Sequence, residues 1–497
     1  MPAQHPMTPK TNNRSRQMNH FLTWLTAGLT LAALPGCADL SGIGPQSQML
    51  DATSSGWVTS PANVPGPTTV PVDAQWWRQF GDETLNQLET QALRNNPNLK
   101  LAQARLAGAQ AAMEAAGAAT RPQFGAQLDL THQRYTANGA VPPPLAGSVS
   151  DSGTAQVSAS WELDFFGKNR SALDAALGAA NAAQADVQAA RELLASQVAR
   201  TYFQWVRLQE QTLVSQRTLA QREETLNLVR DRVSAGLDTR LELRQSEGSL
   251  PEARLQLEAL HEQLVLTRNA LAALSGQQNS ALALLPSPYH TISNIALSNS
   301  IPADLLAQRA DVSAARWRVQ AATHNVDVAR AQFYPNVNLV AFAGLSSIGL
   351  GQLLGSGSQQ WGVGPALRLP IFDTGRLRAG LRGKTAELDA AVESYNATVI
   401  AAAHDVADQV ASMQAIARQQ AQQQGAGQAA QDAYDIALQR YRAGLGSYLV
   451  VLNAETTVLS QRRLAVDLGA RALDTQVALI HALGGGYSAS TNTLQTP

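Results

Sequence analysis

The stretch LDAALGAANAAQADVQAARELLASQVARTYFQWVRL, residues 173–208, carries the pattern that decides the fold. Apolar residues recur along it at alternating steps of four and three residues, and eight of the eleven positions on this seam are apolar. So narrow a seam is typical of a coiled coil rather than of the broad apolar face of a globular helix. Its positions are Leu173, Leu177, Ala180, Gln184, Val187, Arg191, Leu194, Val198, Thr201, Trp205 and Leu208.

The helix that contains this seam is predicted to be very long. No proline interrupts the chain between Pro144 and Pro251, so residues 169–234 are free to form one helix. At 1.5 Å per residue, that helix is a rod of about 100 Å. After a short break containing Gly236, the chain up to residue 275 forms a second helix that runs back. Residues 374–483 repeat the whole hairpin.

The repeat includes the segments that precede each hairpin. Gly236 and Gly444 are 208 residues apart, as are Arg254 and Arg462. Helices are predicted at 84–95 and 98–119 in the first copy and at 304–332 in the second. We therefore divide the chain into a signal peptide 1–36, a tether 37–75, a first repeat 76–276, a connector 277–302, a second repeat 303–486 and a C-terminal tail 487–497.

Two segments of each repeat alternate between apolar and polar residues, which predicts strands with one apolar face. They lie near residues 124–131 and 155–165 in the first copy and near 337–343 and 361–371 in the second. In the clearest strand, the polar positions are Gln156, Ser158, Ser160, Glu162 and Asp164.

Four such strands do not close into a barrel alone. If the apolar faces contact lipid, the edge strands must be paired, because an unsatisfied backbone group inside a bilayer costs several kcal/mol. Closure then requires several identical chains. Two chains give eight strands and a filled interior, whereas three give twelve strands and room for a lumen. The alternative is a soluble four-stranded sheet packed on helices.

The N-terminus is predicted to be a secretion signal. Lys10, Arg14 and Arg16 form a positive region, and the apolar residues 21–34 that follow are too few to span a bilayer. The segment ends at Cys37, the only cysteine of the chain, so an internal disulfide is excluded. It resembles a bacterial lipoprotein signal, which implies cleavage before Cys37, lipidation of its side chain and sorting to the outer membrane. The alternative is an ordinary signal peptide followed by a chance cysteine.

Composition excludes one large class of function. The chain of 497 residues has a net charge of −1, and no basic cluster with interleaved aromatic residues occurs in it. Nucleic-acid binding is therefore not expected.

Taken together, these features resemble the TolC-like outer-membrane factors, specifically the lipoprotein branch that serves multidrug efflux pumps. The resemblance covers residues 37–486. It is carried by the segment WWRQFGD at 76–82, by the duplicated helix–strand–strand–hairpin unit, and by the turns RVSAGL at 232–237 and RYRAGL at 440–445.

The resemblance implies a fold that is mainly α with membrane β-strands. It implies a homotrimer with a twelve-stranded outer-membrane barrel and a periplasmic α-barrel of twelve helices, and it places the connector in the equatorial region. The partners it implies are outer-membrane lipid, a periplasmic adaptor protein and an inner-membrane transporter, typically proton-driven and of the RND type. The turns at Gly236, Leu237, Gly444 and Leu445 would form the closed tip that contacts the adaptor.

The resemblance also implies a gate just after the second turn, where the family has an apolar ring followed, four residues on, by an acidic ring. Leu449 occupies the apolar position, and Asn453 stands where the family commonly has Asp. The alternative for Leu449 is an ordinary core position of the coiled coil. Leu241 and Gln245 are the corresponding residues of the first copy. Glu455 lies about 200° around the helix from Asn453 and is expected to face a neighbouring helix.

Other residues of the tips and helices suggest no chemistry. Arg232 and Arg440 are expected to be solvated surface charges, and the alternative is that they bond neighbouring carbonyls or acids. The eight histidines are scattered, and the glycines at 349, 351 and 355 miss the spacing of a dinucleotide-binding loop. No cofactor is expected beyond a covalent lipid on Cys37, no metal site is expected, and the chain is not predicted to be an enzyme.

The sequence therefore predicts a passive outer-membrane exit duct for small molecules such as drugs. Two alternatives remain open. One is the outer-membrane outlet of a type I protein-secretion system, and the other is a periplasmic coiled-coil scaffold without a pore.

Overall fold

A computed structural model describes residues 40–52, 73–278, 292 and 309–487. The described chain begins its regular structure with a 3₁₀ turn at Trp76–Phe80. The elements that follow, in order, are α1 (Glu83–Asn95), α2 (Pro97–Ala119), β1 (Gln123–Arg134), β2 (Val149–Leu163), α3 (Lys168–Ser234), α4 (Arg240–Leu274), α5 (Ala310–Ala331), β3 (Asn336–Ile348), β4 (Gln359–Arg368), α6 (Thr374–Arg442) and α7 (Tyr448–Ala482).

The predicted fold class is confirmed, because the described chain is mainly helical with two pairs of strands, each followed by a long hairpin. Helix α3 has 67 residues and α6 has 69, so each is about 100 Å long. Helix α5 begins at Ala310, later than the predicted residue 304, and residues 304–308 lie outside the described part of the chain. Among the described helices, none combines the length and the apolar composition needed to cross a membrane.

The strands form one antiparallel sheet in the order β1-β2-β3-β4. Two hairpins distant in sequence are joined by the central pair, in which Val157 of β2 lies opposite Ala343 of β3. The first repeat therefore contributes one half of the sheet and the second repeat the other half.

The chain packs as two compact units, and each unit takes segments from both repeats. The first contains residues 114–175 and 322–389, which include the whole sheet, together with the described residues 40–46. The second contains residues 47–113, 176–321 and 390–497 as far as they are described, and these include most of the long hairpins.

The second unit has an aromatic core around α3. The ring of Phe80, from the 3₁₀ turn, lies edge-on to the ring of Phe203 with centroids 4.9 Å apart. Asp82 caps α1 by accepting the N–H of Leu85 at 2.9 Å, and its second carboxylate oxygen accepts the Tyr202 hydroxyl at 2.7 Å. One buried carboxylate thus fixes the start of α1 against α3.

This core explains why α3 is buried more broadly than its seam predicted. Between residues 194 and 208 the 3₁₀ turn and α1 cover a second side of the helix, in addition to the side that faces α4 and α7. The buried apolar residues of this part of α3 are Leu194, Ala195, Val198, Ala199, Tyr202, Phe203, Trp205, Val206 and Leu208.

Candidate membrane face and tip gate

The sheet has one apolar face, and that face is exposed. Because paired residues of antiparallel strands share a face, the register places Phe124, Ala159, Ala341 and Val363 in one row across all four strands. On this face Phe124 is 77% exposed and Trp361 is 78% exposed. Other exposed apolar residues of the same face are Leu128, Leu130, Val157, Trp161, Leu339 and Leu367.

The opposite face of the sheet is polar, with small residues among the polar ones. The predicted polar row of β2 lies on it, and the amide of Gln360 donates a hydrogen bond to the Gln156 side chain at 3.3 Å. Phe342, which alternation did not single out, also lies on this face. It covers Gly362, where an added Cβ would lie 2.6 Å from the Phe342 ring.

The two helical turns close with the same hydrogen bonds. The N–H of Leu237 donates to the Arg232 carbonyl at 2.8 Å, and the N–H of Leu445 donates to the Arg440 carbonyl at 2.8 Å. Gly236 and Gly444 have φ values of +75° and +76°, a conformation that costs glycine little. This is the Schellman arrangement, in which each glycine ends its helix.

Three residues, which we call the tip cluster, join the ends of the two hairpins. Arg232 binds the Asp238 carboxylate through two nitrogens, at 2.9 and 3.3 Å. The Tyr441 hydroxyl donates to the same carboxylate, and the Arg232 guanidinium lies 4.6 Å from the centre of the Tyr441 ring. The expectation that Arg232 is a solvated charge is wrong, because its side chain and that of Asp238 are largely buried in this contact. The alternative, a bond from Arg232 to a neighbouring acid, is the one observed.

The tip cluster favours an ionised Asp238. Burial alone would raise the pKa of this carboxyl group, but the hydrogen bonds from Arg232 and Tyr441 outweigh burial and hold the pKa below its usual value. Burial and the hydrogen bond to Asp238 raise the pKa of Tyr441, so its hydroxyl remains a donor. The cluster is therefore a charged pair and a neutral phenol at neutral pH.

The sequence contains a signal for this cluster that periodicity does not use. The two turns are nearly identical, yet Tyr441 corresponds to Val233, and Asp238 corresponds to Gly446. Two of the three positions of the tip cluster, those of Asp238 and Tyr441, therefore differ between the copies, whereas Arg232 corresponds to Arg440.

The four predicted gate residues lie on exposed sides of the two returning helices. Leu449 is 52% exposed and Leu241 is 63% exposed, and Asn453 and Gln245, one helical turn further on, are exposed as well. Within each helix the two residues are four apart and so share one face. The structure brings each pair together on its own helix. A ring formed with other chains remains a prediction.

Glu455 faces a neighbouring helix, as its position around α7 predicted. Its carboxylate is buried and lies 3.5 Å from Nε of Arg222 on α3. Another nitrogen of Arg222 donates to the carbonyl of Ser249 on α4 at 2.8 Å. Burial raises the pKa of Glu455 despite the nearby arginine. This pair is therefore a packing contact between hairpins rather than part of a pore lining.

The predicted lipidation site, Cys37, lies outside the described residues, but the chain just after it is described. Within the first unit, Arg378 of α6 donates to the Ser41 carbonyl at 3.1 Å, and the Gln46 N–H donates to Asp389 at 2.8 Å. These contacts hold residues 41–46 beside the first turns of α6.

Among the described residues, His, Cys, Asp and Glu side chains form no group that could hold a metal ion. A cavity of about 530 Å³ beside the sheet is lined by Glu162, Lys168, Phe166, Tyr334 and Arg376, among others. Its main charges are already paired, Lys168 with Glu162 at 2.6 Å and Arg376 with Asp373.

An amphipathic sheet with an exposed apolar face, combined with two coiled-coil hairpins of about 100 Å, defines an outer-membrane channel. The model of the outer membrane efflux protein family matches residues 88–277 and 301–485, and the chain belongs to this family. It is an outer-membrane channel of a tripartite efflux system.

Individual relatives match this chain over most of its length. The chain is 31% identical to the multidrug resistance outer membrane protein MdtQ of Escherichia coli O157:H7 over 473 residues, which are 92% of this chain and 98% of MdtQ. It is 33% identical to the pyoverdine export outer membrane protein OpmQ of Pseudomonas putida, over 85% of this chain and 90% of OpmQ. The chain is 36% identical in sequence to the outer membrane protein VceC of Vibrio cholerae. The structure of the chain matches the crystal structure of VceC with a TM-score of 0.77, over 84% of this chain and 100% of VceC.

Proposed function

We propose that three copies of this chain form the exit duct, with twelve strands closing a membrane barrel and the hairpins forming a periplasmic tunnel. The observation that carries this proposal is the exposed apolar face shared by all four strands. Within the part of the chain that the structure describes, the four-stranded sheet leaves the outer edges of β1 and β4 unpaired. Backbone groups at those edges require partners in lipid, and a second and a third copy supply them.

Sizing of the detergent-solubilised protein together with cysteine cross-linking tests this arrangement. The predicted edge-to-edge contact between β1 of one copy and β4 of the next is probed with cysteines at Leu128 and Val363, which both lie on the apolar face. We expect a trimer and a ladder of cross-linked products that ends at three chains. A monomer, or products that stop at two chains, would contradict the proposal.

We further propose that the duct is a lipoprotein anchored through Cys37, and that its tip at Gly236, Leu237, Gly444 and Leu445 contacts a periplasmic adaptor. An inner-membrane transporter of the proton-driven RND type would deliver the substrate. Small organic molecules such as drugs are the proposed cargo, supported by the names of the relatives, multidrug resistance for MdtQ and pyoverdine export for OpmQ. The match of the family model in two blocks supports the division into repeats at 76–276 and 303–486.

The gate is proposed to be a ring of three Leu449 side chains, with Leu241 beside it and Asn453 and Gln245 forming a neutral polar ring one turn further on. In the described part of the chain, Leu449 is 52% exposed, so about half of this apolar side chain is left uncovered. Around a threefold axis, the leucines would exclude water and so block ions. The neutral amides give this gate no fixed negative charge.

Leu449→Ser is expected to raise single-channel conductance in planar bilayers several-fold, because the smaller polar side chain lets water fill the constriction. Val450→Ser is the matched control. Val450 is also exposed and lies next in sequence, but it points about 100° away around the helix. Equal conductance in the two variants would remove Leu449 from the gate while leaving the barrel proposal intact.

A further inference from the structure

The loop between β3 and β4, residues 349–358, has a defined conformation of its own. The N–H of Gly349 donates to the Asp151 carbonyl of β2 at 2.6 Å, and Gly349 has a φ of +96°, which turns the chain out of β3. Two 3₁₀ turns follow, and the Ser358 hydroxyl closes the loop by donating to the Gln352 carbonyl at 2.6 Å. Its glycines, which do not form a nucleotide-binding motif, serve these turns.

The loop folds onto the apolar face of the sheet. A Cβ added at Gly153 of β2 would lie 3.0 Å from Leu353, 3.1 Å from Leu350 and 3.3 Å from Leu130. Leu130 is the cross-strand partner of Gly153 and belongs to the apolar face described above. The absent side chain of Gly153 therefore provides the space in which the two loop leucines pack.

The third leucine of the loop is left uncovered. Leu354 follows Leu353 directly and is 88% exposed, and the loop residues GLGQLLGSGS carry no charged side chain. A large apolar side chain held out by a structured, uncharged loop, next to a lipid-facing surface, is typical of a membrane contact.

We propose that the β3–β4 loop extends the lipid-facing surface beyond the strands and inserts Leu354 among the acyl chains of the outer leaflet. Leu350 and Leu353 anchor the loop to the sheet, and Leu354 contacts the lipid. The occupant is membrane lipid because this surface is continuous with the apolar face. The inference rests on the proposed barrel, in which that face contacts the bilayer.

The test places a fluorophore on single cysteines in proteoliposomes and compares quenching by a phospholipid spin-labelled on its acyl chain with quenching by aqueous iodide. Leu354→Cys is the test position, Val363→Cys reports the apolar face of β4, and Thr131→Cys reports the polar face of β1. Labelling of the unsubstituted protein, with Cys37 alone, gives the background.

We expect the lipid probe to quench positions 354 and 363 at least threefold more than position 131, and iodide to show the reverse order. Quenching of position 363 but not 354 by lipid would overturn the loop inference and leave the barrel standing. If lipid quenches neither position 354 nor position 363, the barrel proposal itself fails. Gly153→Val in the Leu354→Cys background should move position 354 from lipid to iodide quenching, because the added side chain displaces the two anchoring leucines.

Discussion

Asp238→Asn is expected to shift the equilibrium between the closed and the open tip toward the open form, by roughly thirtyfold per chain. The measurement is the open probability in planar bilayers. We expect the tip cluster to hold the tip closed, because Asp238, Arg232 and Tyr441 join the turn of the first hairpin to the end of α6. Hydrogen bonds that involve a charged group contribute about 1.5–3 kcal/mol each. Losing about 2 kcal/mol corresponds to the stated factor, since about 1.4 kcal/mol is a factor of ten.

The matched control is Arg442→Gln. Arg442 of α6 also pairs with a residue of α3, Glu224, at 3.1 Å, but both side chains are more than half exposed. An exposed pair contributes at most about 1 kcal/mol, so this variant should conduct much like the parent. Tyr441→Phe, which keeps the ring over Arg232 and removes only the hydroxyl, should fall between the two. Equal open probabilities for Asp238→Asn and Arg442→Gln would show that the tip cluster does not hold the channel closed.

Acidification provides an independent test of the tip cluster. The folded pKa of Asp238 lies below its usual 3.8, so its contribution to the closed tip is complete above that pH and is lost as the pH falls through the folded pKa. The parent channel should therefore open on acidification below about pH 3.8. Asp238→Asn has no carboxylate at this position to protonate, and its open probability should change less over that range.

The sequence predicts the fold of this protein well because the fold depends on periodicity. Steps of three and four residues and steps of two residues distinguish the hairpins from the strands, and the 208-residue offset between Gly236 and Gly444 duplicates the unit. Helix bounds agree with the structure to within a few residues where both are described. The burial of α3 beyond its seam was missed because the covering turn at Trp76–Phe80 is remote in sequence.

The sequence likewise predicts one part of the candidate site and misses another. Leu449 and Asn453 come from the family resemblance, which assigns the gate to the residues just after the second turn, and their role as a gate stays a prediction. The tip cluster could not be predicted from the sequence. Its contact between Tyr441 and Asp238 joins residues about 200 positions apart, and nothing local marks Asp238 as buried. The only available signal was the difference between the copies, Asp238 against Gly446 and Tyr441 against Val233.

A pair of buried carboxyl groups makes the stability of the protein depend on pH. Glu89 of α1 is fully buried, and neither of its carboxylate oxygens has a hydrogen-bond partner among the described residues. Burial, and then the nearby carboxylate of Glu192 on α3, raise the pKa of Glu89 well above its usual value. Burial also raises the pKa of Glu192, to about 7, although Trp76 and Ser196 donate to its carboxylate and Arg191 lies nearby.

Each of these carboxyl groups keeps its proton in the folded protein while the pH lies below its folded pKa, and the bound proton then stabilises the fold. Because both carboxyl groups have raised folded pKa values, the folded protein binds protons that the unfolded chain, with a pKa of 4.5, has already released. The free energy of unfolding therefore falls as the pH rises from about 4.5 through 7. For Glu192 alone this amounts to roughly 3 kcal/mol, at 1.36 kcal/mol per pKa unit. His481, 4.0 Å from Glu192, has a pKa lowered by burial and by Arg309 and so adds little positive charge to offset this loss.

Glu89→Gln is expected to raise the stability of the protein at pH 8 by several kcal/mol and to leave it nearly unchanged at pH 5, because glutamine replaces the protonated acid with a neutral group of the same shape. The midpoint of thermal unfolding in detergent, followed from pH 5 to pH 8, measures this difference, and hydrogen exchange locates it in α1. Glu83→Gln is the matched control, since it removes an exposed acid from the first turn of the same helix. It should shift the midpoint slightly and equally at both pH values, because a charge at a helix N-terminus contributes at most about 1 kcal/mol. A parent protein whose midpoint does not fall between pH 5 and pH 8, or a Glu89→Gln variant that follows the parent at every pH, would mean that this carboxyl pair is not proton-bound in the fold.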